Sequence, residues 1–428
     1  MIRKKIYNYI FFSLFYFIFL IWYNLFILEV KMIKFDFNKY MDKFLDKDGF
    51  EKYLRLKGDI LEKFSLCEMT GWTREIDKDL VERCVSLSKK VKSNSECLVV
   101  IGIGGSFLGS LCVNEMMGKY FNNDQFKVIY AGTTLSSKYM DELLDYLRGV
   151  DFSVNVISKS GTTMETKITY ELIKDLMKEK YSSEEIKERI IVTTDKEKGL
   201  LRKEVEEVGY ESFIIEDDIG GRYSIVTPAH LFPLAFNIDL DKFIEGIHDG
   251  KDLINEAYTY SVVRRMMFDC GKVVENYVVY EQNMYYFAEW LKQLFGESEG
   301  KDGMGCFPVS SIHTRDLHSL GQFIQEGNKI IFETFFKVEN SSLVNYKNSN
   351  LHSINNIVLD SVEAAHFKGD VPCNLITIDE VNEYNIGKLM YFFMMSAAFS
   401  SLLFGVDPFN QPGVEVYKQE VRDNLKLD

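Results

Sequence analysis

Short apolar runs with strand character alternate with helical segments over most of this chain, and the alternation restricts the fold more than any other feature. Such a pattern is typical of proteins in which helices cover both faces of a parallel sheet. Two groups of predicted strands are separated by helical sequence. The segments that contain them are 97–110, 126–132, 152–161, 189–195 and 211–217, then 276–283, 329–338 and 374–380. The sequence therefore predicts an α/β fold built in two parts.

The length of 428 residues favours two packed domains over a single core. No long linker separates the two groups of strands. We expect a first domain over residues 32–245 and a second over residues 246–428. The second domain is expected to end in helices on either side of the turn "VDPFNQPG".

Residues 1–31 differ in character from the rest of the chain. Residues 6–28 carry no charge and follow a basic start, which satisfies the length and composition of a membrane-spanning helix. Met32, however, begins an ordinary start, and the preceding "EVK" can be encoded by a purine-rich ribosome-binding site. We therefore favour translated upstream DNA for residues 1–31, with an uncleaved membrane anchor as the alternative. A membrane is an expected partner only if the anchor is genuine.

The net charge of −14 argues against a polyanionic partner, because an acidic surface repels nucleic acid and anionic lipid. The seven cysteines are odd in number and form no CxxC pair, so a disulfide framework is not expected. These features predict a cytoplasmic protein that binds no nucleic acid.

The stretch "VISKSGTTMET" places several hydroxyl side chains between an apolar strand and a helix. Ser158, Ser160, Thr162 and Thr163 surround Gly161 at this point. A turn at the end of a parallel strand directs backbone N–H groups and the positive end of a helix at one place, which suits a phosphate. The alternative is a Ser/Thr cap, because "TTME" resembles a capping box. The residues alone leave both interpretations open.

A second Gly-rich turn, "GIGGS", follows the strand at 97–101. It does not supply G-x-G-x-x-G in register, so a dinucleotide cofactor is disfavoured. Gly105 and Ser106 remain candidates for close approach to a ligand. Arg222 follows another Gly pair in "DDIGGRYS", where it is either a surface residue or a guanidinium directed into a cleft.

Other candidate residues are ambiguous when each is taken alone. Glu297 and Glu299 of "FGESEGK" fit a solvated acidic loop, and Lys418 fits a helix surface. His318 fits a structural histidine, and the six histidines show no metal-ligand spacing, so no metal site is expected.

Together, five motifs resemble the phosphoglucose isomerase family in its shorter bacterial form. They are "GIGGS", "SKSGTT.ET", "GGRYS", "FGESEGK…DLHSLGQ…QEG" and "FNQPGVE..K", and they occur in the family's order from about residue 97 to residue 420. The resemblance implies two sugar-isomerase-type α/β/α domains with parallel sheets, followed by C-terminal helices. It also implies a homodimer whose active sites are shared between subunits.

The activity implied by the resemblance is the reversible isomerisation of D-glucose 6-phosphate to D-fructose 6-phosphate, a step of glycolysis and gluconeogenesis. The family performs it by acid–base chemistry through a cis-enediol, without metal or cofactor. The resemblance assigns the sugar phosphate to the hydroxyl turn and to the loop's lysine: Ser158, Lys159, Ser160, Thr162 and Thr163. It places Gly105, Ser106 and Gln293 along the sugar.

The resemblance also assigns the chemical steps. Glu297 is expected to move the proton between C2 and C1, a role that Glu299 does not share. Arg222 is expected to stabilise the enediolate. Ring opening falls to His318, supplied by the neighbouring subunit, with Lys418 near the ring oxygen.

Two other functions compete with this one. An isomerase of another sugar phosphate needs the hydroxyl turn but not "FGESEGK" with a histidine 21 residues after Glu297. A phosphosugar-sensing regulator needs a DNA-binding or effector module, and the acidic chain contains no basic region. The sequence favours the isomerase of glucose 6-phosphate over both.

Overall fold

The computed structural model describes residues 33–37, 43–121 and 125–425, so the hydrophobic N-terminal segment lies outside the described residues. The strands are β1 (Lys34–Asp36), β2 (Cys97–Ile101), β3 (Lys127–Ala131), β4 (Phe152–Ile157), β5 (Ile190–Thr194), β6 (Glu211–Ile214), β7 (Val274–Val279), β8 (Phe307–Ile312), β9 (Ile331–Asn340), β10 (Asn345–Tyr346), β11 (Ser349–Asn350) and β12 (Cys373–Glu380).

The described helices include α1 (Lys47–Arg55), α2 (Lys57–Ser65), α3 (Lys78–Asn94), α4 (Leu108–Met117), α5 (Ser137–Arg148), α6 (Met164–Lys180), α7 (Ser183–Arg189) and α8 (Leu200–Val208). The later ones are α9 (Pro228–Leu234), α10 (Leu240–Gly250), α11 (Ile254–Asp269), α12 (Tyr285–Glu299), α13 (Leu317–Glu326), α14 (Leu351–Lys368), α15 (Glu383–Phe404) and α16 (Val414–Leu425). Short 3-10 turns cover Gly104–Ser106 and Gly221–Val226.

The first sheet is parallel and has the strand order β3-β2-β4-β5-β6. Because helices cover both faces of the sheet, the inner strands β2 and β4 are buried along their entire length. The chain enters the sheet at β2, moves outward to β3 and then returns past β2 to β4. The sheet therefore has a topological switch point between β2 and β4, which is where such sheets bind ligands.

The second sheet repeats this arrangement with the order β1-β12-β9-β7-β8. Strands β7, β8, β9 and β12 are parallel, and β1 adds an antiparallel edge beside β12. The α/β fold with two parallel sheets is thus confirmed. The strand β8 is not among the predicted strands, since it carries Pro308; it lies at the sheet edge, where a missing N–H is tolerated.

A continuous apolar core joins the two sheets. It includes Val100 of the first sheet and Phe336 of the second, with much of α15 between neighbouring helices. By length and composition α15 is the one described helix that could cross a membrane, and 83% of its apolar window is buried inside the molecule. The expected domain boundary near residue 245 falls within α10 and stays a prediction.

Candidate active site

The "GIGGS" turn and the hydroxyl turn "SKSGTT" lie side by side at the switch point of the first sheet. The "GIGGS" turn follows β2, and the "SKSGTT" turn follows β4, the strand that pairs with β2. Because both turns leave the carboxyl ends of adjacent parallel strands, they open into one crevice. The structure therefore brings together two turns that are about 50 residues apart along the chain.

The hydroxyl turn is organised by its own hydrogen bonds. The N–H of Gly161 donates to the Ser158 hydroxyl over 3.1 Å, and the N–H of Thr162 donates to the Ser160 hydroxyl over 3.1 Å. The hydroxyls of Ser160 and Thr162 are 2.8 Å apart. Gly161 has a φ of +72°, a backbone conformation that other residues rarely adopt. The glycine is thus needed for the shape of the turn.

Lys159 and Thr163, the remaining described residues of the loop, make no hydrogen bond to the other hydroxyls of the turn. Lys159 is exposed, and its ammonium lies 2.7 Å from Asp217 in an ion pair at the surface. Thr163 immediately precedes α6, but its side chain makes no capping hydrogen bond. The capping-box interpretation of "TTME" is therefore wrong. The positive end of α6 remains available at the turn.

Gly105 makes the closest backbone approach in the site. A Cβ atom at this position would lie 2.2 Å from the carbonyl carbon of Gly221 and 2.7 Å from the nitrogen of Arg222. Only a glycine allows the "GIGGS" and "GGRYS" turns to touch in this way. Ser106 is half-buried at the end of the same turn. The contact places the segment carrying Arg222 against the crevice.

A buried histidine that was not predicted from the sequence holds this contact. The Nδ1 atom of His230 accepts from the N–H of Ser110 over 3.0 Å, and its Nε2 lies 2.7 Å from the Gly105 carbonyl oxygen. Ser224 donates to the same oxygen over 3.0 Å. Burial lowers the pKa of His230 to about 4, so the ring is neutral and Nε2 carries its proton. Nothing in "TPAHLFPL" distinguishes this role from that of an ordinary core histidine.

Arg222 is buried, so it is not the surface residue of the alternative interpretation. Its side chain is 1% exposed, and Nε donates to the Ser298 hydroxyl over 2.8 Å. One Nη2 hydrogen bond runs to the carbonyl oxygen of Asn410 over 3.2 Å, and another to Pro408. Nη1 lies 3.5 Å from a carboxylate oxygen of Glu297. The guanidinium is thereby fixed with one side directed toward Glu297.

Glu297 occupies the crevice side of the last turn of α12. Its side chain is 32% exposed, and its other oxygen accepts from the Gln293 amide over 3.1 Å. A Cβ atom added to Gly104 would lie 3.1 Å from that amide nitrogen, so Gln293 borders the "GIGGS" turn. The buried Oε1 of Gln293 has no hydrogen-bond partner among the described residues. An acceptor in this position suits a ligand hydroxyl.

The interpretation of "FGESEGK" as a solvated loop is wrong for Glu299. Glu297 and Glu299 end a regular helix, and Glu299 is fully buried, where Arg264 forms an ion pair with it. Glu299 does not face the crevice, which agrees with its exclusion from proton transfer. The pairing with Arg264 could not be predicted, since the two residues are distant along the chain.

Lys301 is the last residue of "FGESEGK" and lies just after the end of α12. Its ammonium donates to the carbonyl oxygen of Ser298 over 2.9 Å and also to that of Asp407. Burial, with the nearby positive charge of Arg222, lowers its pKa to about 8. Lys301 and Arg222 therefore tie the end of α12 to the turn that precedes α16.

Two predicted catalytic residues lie on exposed helices. His318 is exposed at the start of α13, and Lys418 is exposed on α16, where it pairs with Glu415 over 2.9 Å. Neither residue has a recorded hydrogen bond or ion pair to Glu297, Arg222 or Gln293. The cluster in the crevice of one chain thus consists of the two turns, Gln293, Glu297 and Arg222.

Comparison with known proteins identifies the same family as the motifs. Residues 74–352 match the family model of phosphoglucose isomerase. A glucose-6-phosphate isomerase from Staphylococcus saprophyticus is 43% identical, with 83% of this chain and 86% of the relative covered. Another from Streptococcus thermophilus is 39% identical, with 91% and 95% covered.

Solved structures share the fold. A glucose-6-phosphate isomerase from Chlamydia trachomatis superimposes with a TM-score of 0.75 at 20% identity, over 89% of this chain and 86% of the other. A hypothetical protein from Thermus thermophilus gives a TM-score of 0.82 at 24% identity, over 92% and 100%. The family match and the sequence identity over most of the chain agree: the chain belongs to the phosphoglucose isomerase family.

Proposed function

We propose that this chain interconverts D-glucose 6-phosphate and D-fructose 6-phosphate with Glu297 as the group that transfers the proton. The observation that carries the assignment is the setting of Glu297, a partly exposed carboxylate held between Gln293, which borders the "GIGGS" turn, and Arg222 of the "GGRYS" turn. Relatives that share about two fifths of their sequence with this chain carry the name of the same enzyme.

In this proposal the sugar phosphate binds at the hydroxyl turn. Ser158, Ser160, Thr162 and Thr163 contribute hydroxyls, and the start of α6 contributes backbone N–H groups and its positive end. Lys159 adds a positive charge from the same loop. The local site opposes the negative net charge of the chain, which would otherwise repel a phosphate.

The carbon skeleton then extends toward Glu297. Gly105 and Ser106 line one side of the sugar, and the unpaired Oε1 of Gln293 accepts from a sugar hydroxyl. Glu297 removes the proton from C2 and returns it to C1, acting first as base and then as acid. The charge that develops on the enediolate oxygen is stabilised by Arg222, whose orientation is fixed by Ser298 and two backbone carbonyls.

We further propose a homodimer in which His318 of the partner subunit completes each active site and assists ring opening. The exposed apolar side chains of α13 support an interface there, since Leu320 is 44% and Phe323 50% exposed. Lys418 lies on α16, whose Val416 is 72% exposed. We place Lys418 near the ring oxygen in the assembled dimer.

The proposed location is the cytoplasm. All seven cysteines are free thiols, and most of them are buried, as expected for a protein in a reducing compartment.

The decisive experiment follows conversion of fructose 6-phosphate by the full chain, with product formation coupled to a glucose-6-phosphate dehydrogenase. Glu297→Gln keeps the size and hydrogen bonding of the side chain but removes the base. We expect kcat to fall by at least ~10²-fold. Glu289→Gln is the matched control, because Glu289 lies two turns earlier on α12 and binds Lys292 and Ser310.

The control variant should retain kcat within about 2-fold, since a carboxylate outside the crevice takes no part in proton transfer. Full activity in Glu297→Gln would mean that another group is the base. No conversion by the unaltered chain would overturn the proposed substrate.

A further inference from the structure

Three consecutive residues at the end of α12 point in different directions. Successive side chains on a helix are separated by about 100°, so residues two apart lie on nearly opposite sides. Glu297 faces the crevice, Ser298 holds Arg222, and Glu299 enters the core with no exposed surface. The single turn that carries the proposed base is thus anchored from the side opposite to the base.

The anchor is a buried ion pair. Arg264 on α11 donates to Glu299 through Nη1, and the same atom donates to the Ser400 hydroxyl on α15 over 2.8 Å. The N–H of Cys306 approaches the other Glu299 oxygen at 3.4 Å. The guanidinium also lies 4.0 Å from the centre of the Phe295 ring, one turn earlier on the same face of α12. Arg264 therefore contacts α12 at two positions one turn apart.

A second carboxylate shares this arginine. Glu275 on β7 accepts from Nε of Arg264 over 2.6 Å and from Tyr277 over 2.9 Å, and it is fully buried as well. Burial acts to lower the pKa of Arg264, but the two carboxylates raise it above its usual value. Glu275 and Glu299 are equally buried and pair with one guanidinium, yet only Glu299 belongs to the turn of the proposed base.

Stability alone does not account for such a pair. Well-packed apolar side chains of similar volume are often as stabilising as a buried ion pair, because desolvation of the charges cancels much of their attraction. An ion pair also fixes the relative orientation of its two side chains, because its hydrogen bonds hold both in one geometry. In proton transfer, a displacement of about 1 Å can reduce the rate ~10²-fold.

We propose that Glu299, held by Arg264, is a positioning residue that fixes the last turn of α12 and thereby the direction of the Glu297 carboxylate and of Arg222. This inference rests on the proposed function, in which Glu297 is the base. Glu299 touches neither the crevice nor the substrate, and it acts through the backbone of its own turn. Loss of the pair allows the turn to shift while the phosphate site after β4 stays in place.

The test compares two matched variants of the full chain, Glu299→Gln and Glu275→Gln. Each keeps the shape of its side chain and removes one carboxylate from the same arginine, so each should lower Tm. We expect kcat to fall ~10-fold in Glu299→Gln and to stay within ~2-fold of the unaltered chain in Glu275→Gln. KM should change little in both, because the phosphate turn is not disturbed.

Ser400→Ala provides a milder change in case Glu299→Gln does not fold. It removes one hydroxyl partner of Arg264 and should lower kcat ~3-fold with KM unchanged. Equal kcat losses in Glu299→Gln and Glu275→Gln, or no loss in either, would overturn the positioning role. For Ser400→Ala, an unchanged kcat would do the same.

Glu297→Gln is measured in the same series to separate the two proposals. If it loses activity while Glu299→Gln behaves as its control, the proposed function stands and the positioning role fails. If Glu297→Gln remains active, the assignment of the base fails, and the positioning role fails with it.

Discussion

At the scale of single residues, the shape of the crevice depends on residues that take no direct part in the proposed reaction. Gly105 allows two turns to touch, and His230 and Ser224 bind its carbonyl oxygen from the core. Ser298 holds the guanidinium of Arg222 in place. Groups expected to meet the substrate, such as Gly105 and Arg222, are therefore positioned by His230, Ser224 and Ser298, which are not expected to meet it.

A methyl group at Gly105 should separate the two turns. The added Cβ in Gly105→Ala would lie 2.3 Å from the carbonyl oxygen of Gly221, so the backbone must shift. We expect a loss of about 1–3 kcal/mol of stability. We also expect kcat/KM to fall at least ~10-fold, because Arg222 moves with its turn. Thermal unfolding and steady-state kinetics measure the two effects.

Gly58→Ala serves as the control for this change. Gly58 is exposed on α2, and no heavy atom would lie within 4 Å of a new Cβ. The substitution should stabilise the helix slightly and leave activity unchanged. Equal activity in the two alanine variants would show that the contact between the turns has no functional role.

The residues of the site were predictable to different degrees. The hydroxyl turn and the "GIGGS" and "GGRYS" turns can be recognised locally, because the residues that form each turn are contiguous in the sequence. Residues whose roles depend on contacts between distant segments have no such signature in the local sequence. His230 and Arg264 are examples: His230 lies in an apolar stretch and Arg264 is followed by a second arginine, and only the folded chain shows what each binds.

At the scale of secondary-structure elements, the apolar pattern was sufficient for every strand of the first sheet and for the inner strands of the second, and insufficient at the edges of the second sheet. The strands that were not predicted, β1 and β8, are edge strands of the second sheet, and the two-residue strands β10 and β11 form a hairpin apart from it. Edge strands are short or contain proline, because unpaired edges must be protected. The helices α13 and α16 both expose apolar side chains, which the proposed dimer interface would cover.

Subunit mixing tests whether α13 serves a neighbouring chain. Glu297→Gln and His318→Ala should each be nearly inactive alone, because one lacks the base and the other lacks the ring-opening group. In a refolded mixture, a mixed dimer contains one intact site if the two residues come from different chains. With random pairing, we expect about a quarter of the unaltered activity.

The control mixes Glu297→Gln with a chain that carries both substitutions. No subunit then supplies Glu297, so activity should not return. A mixture of the single variants that stays inactive, although the chains exchange, would show that Glu297 and His318 serve the same site within one chain.

At the scale of the whole molecule, two sheets of similar topology share one core, and buried histidines lie in both halves. Burial lowers the pKa of His230 to about 4 and that of His313 to about 4. The fold class could be predicted because alternating strands and helices fit few architectures. The place of α15 in the core between the two sheets could not, since it depends on which helix faces meet.

His230 and His313, which are two of the buried histidines, make stability depend on pH. Their pKa is about 6.5 in an unfolded chain and about 4 in the folded one, so between these values the unfolded chain binds protons that the folded chain does not. The stability present above pH 6.5 is therefore lost as the pH falls toward 4. The maximum slope is about 1.4 kcal/mol per pH unit for each histidine. Urea unfolding at pH 7, 6 and 5 measures it.

Substitution separates the contribution of one buried histidine. His230→Gln should reduce the slope relative to the unaltered chain, because the ring whose pKa is lowered by burial is removed. An unchanged slope would contradict the role of His230.

The last turn of α12 also limits how this protein can change in length. Glu297, Ser298 and Glu299 meet a solvent-filled crevice, a guanidinium and a dry interior in successive steps of one helical turn. One residue inserted within α12 ahead of them would rotate the three side chains by about 100° relative to the rest of the helix. A charged group would then face apolar packing, and the hydroxyl or the backbone would face the substrate. Homologous chains can therefore accept insertions in surface loops, but this helix must keep its register through to Gly300.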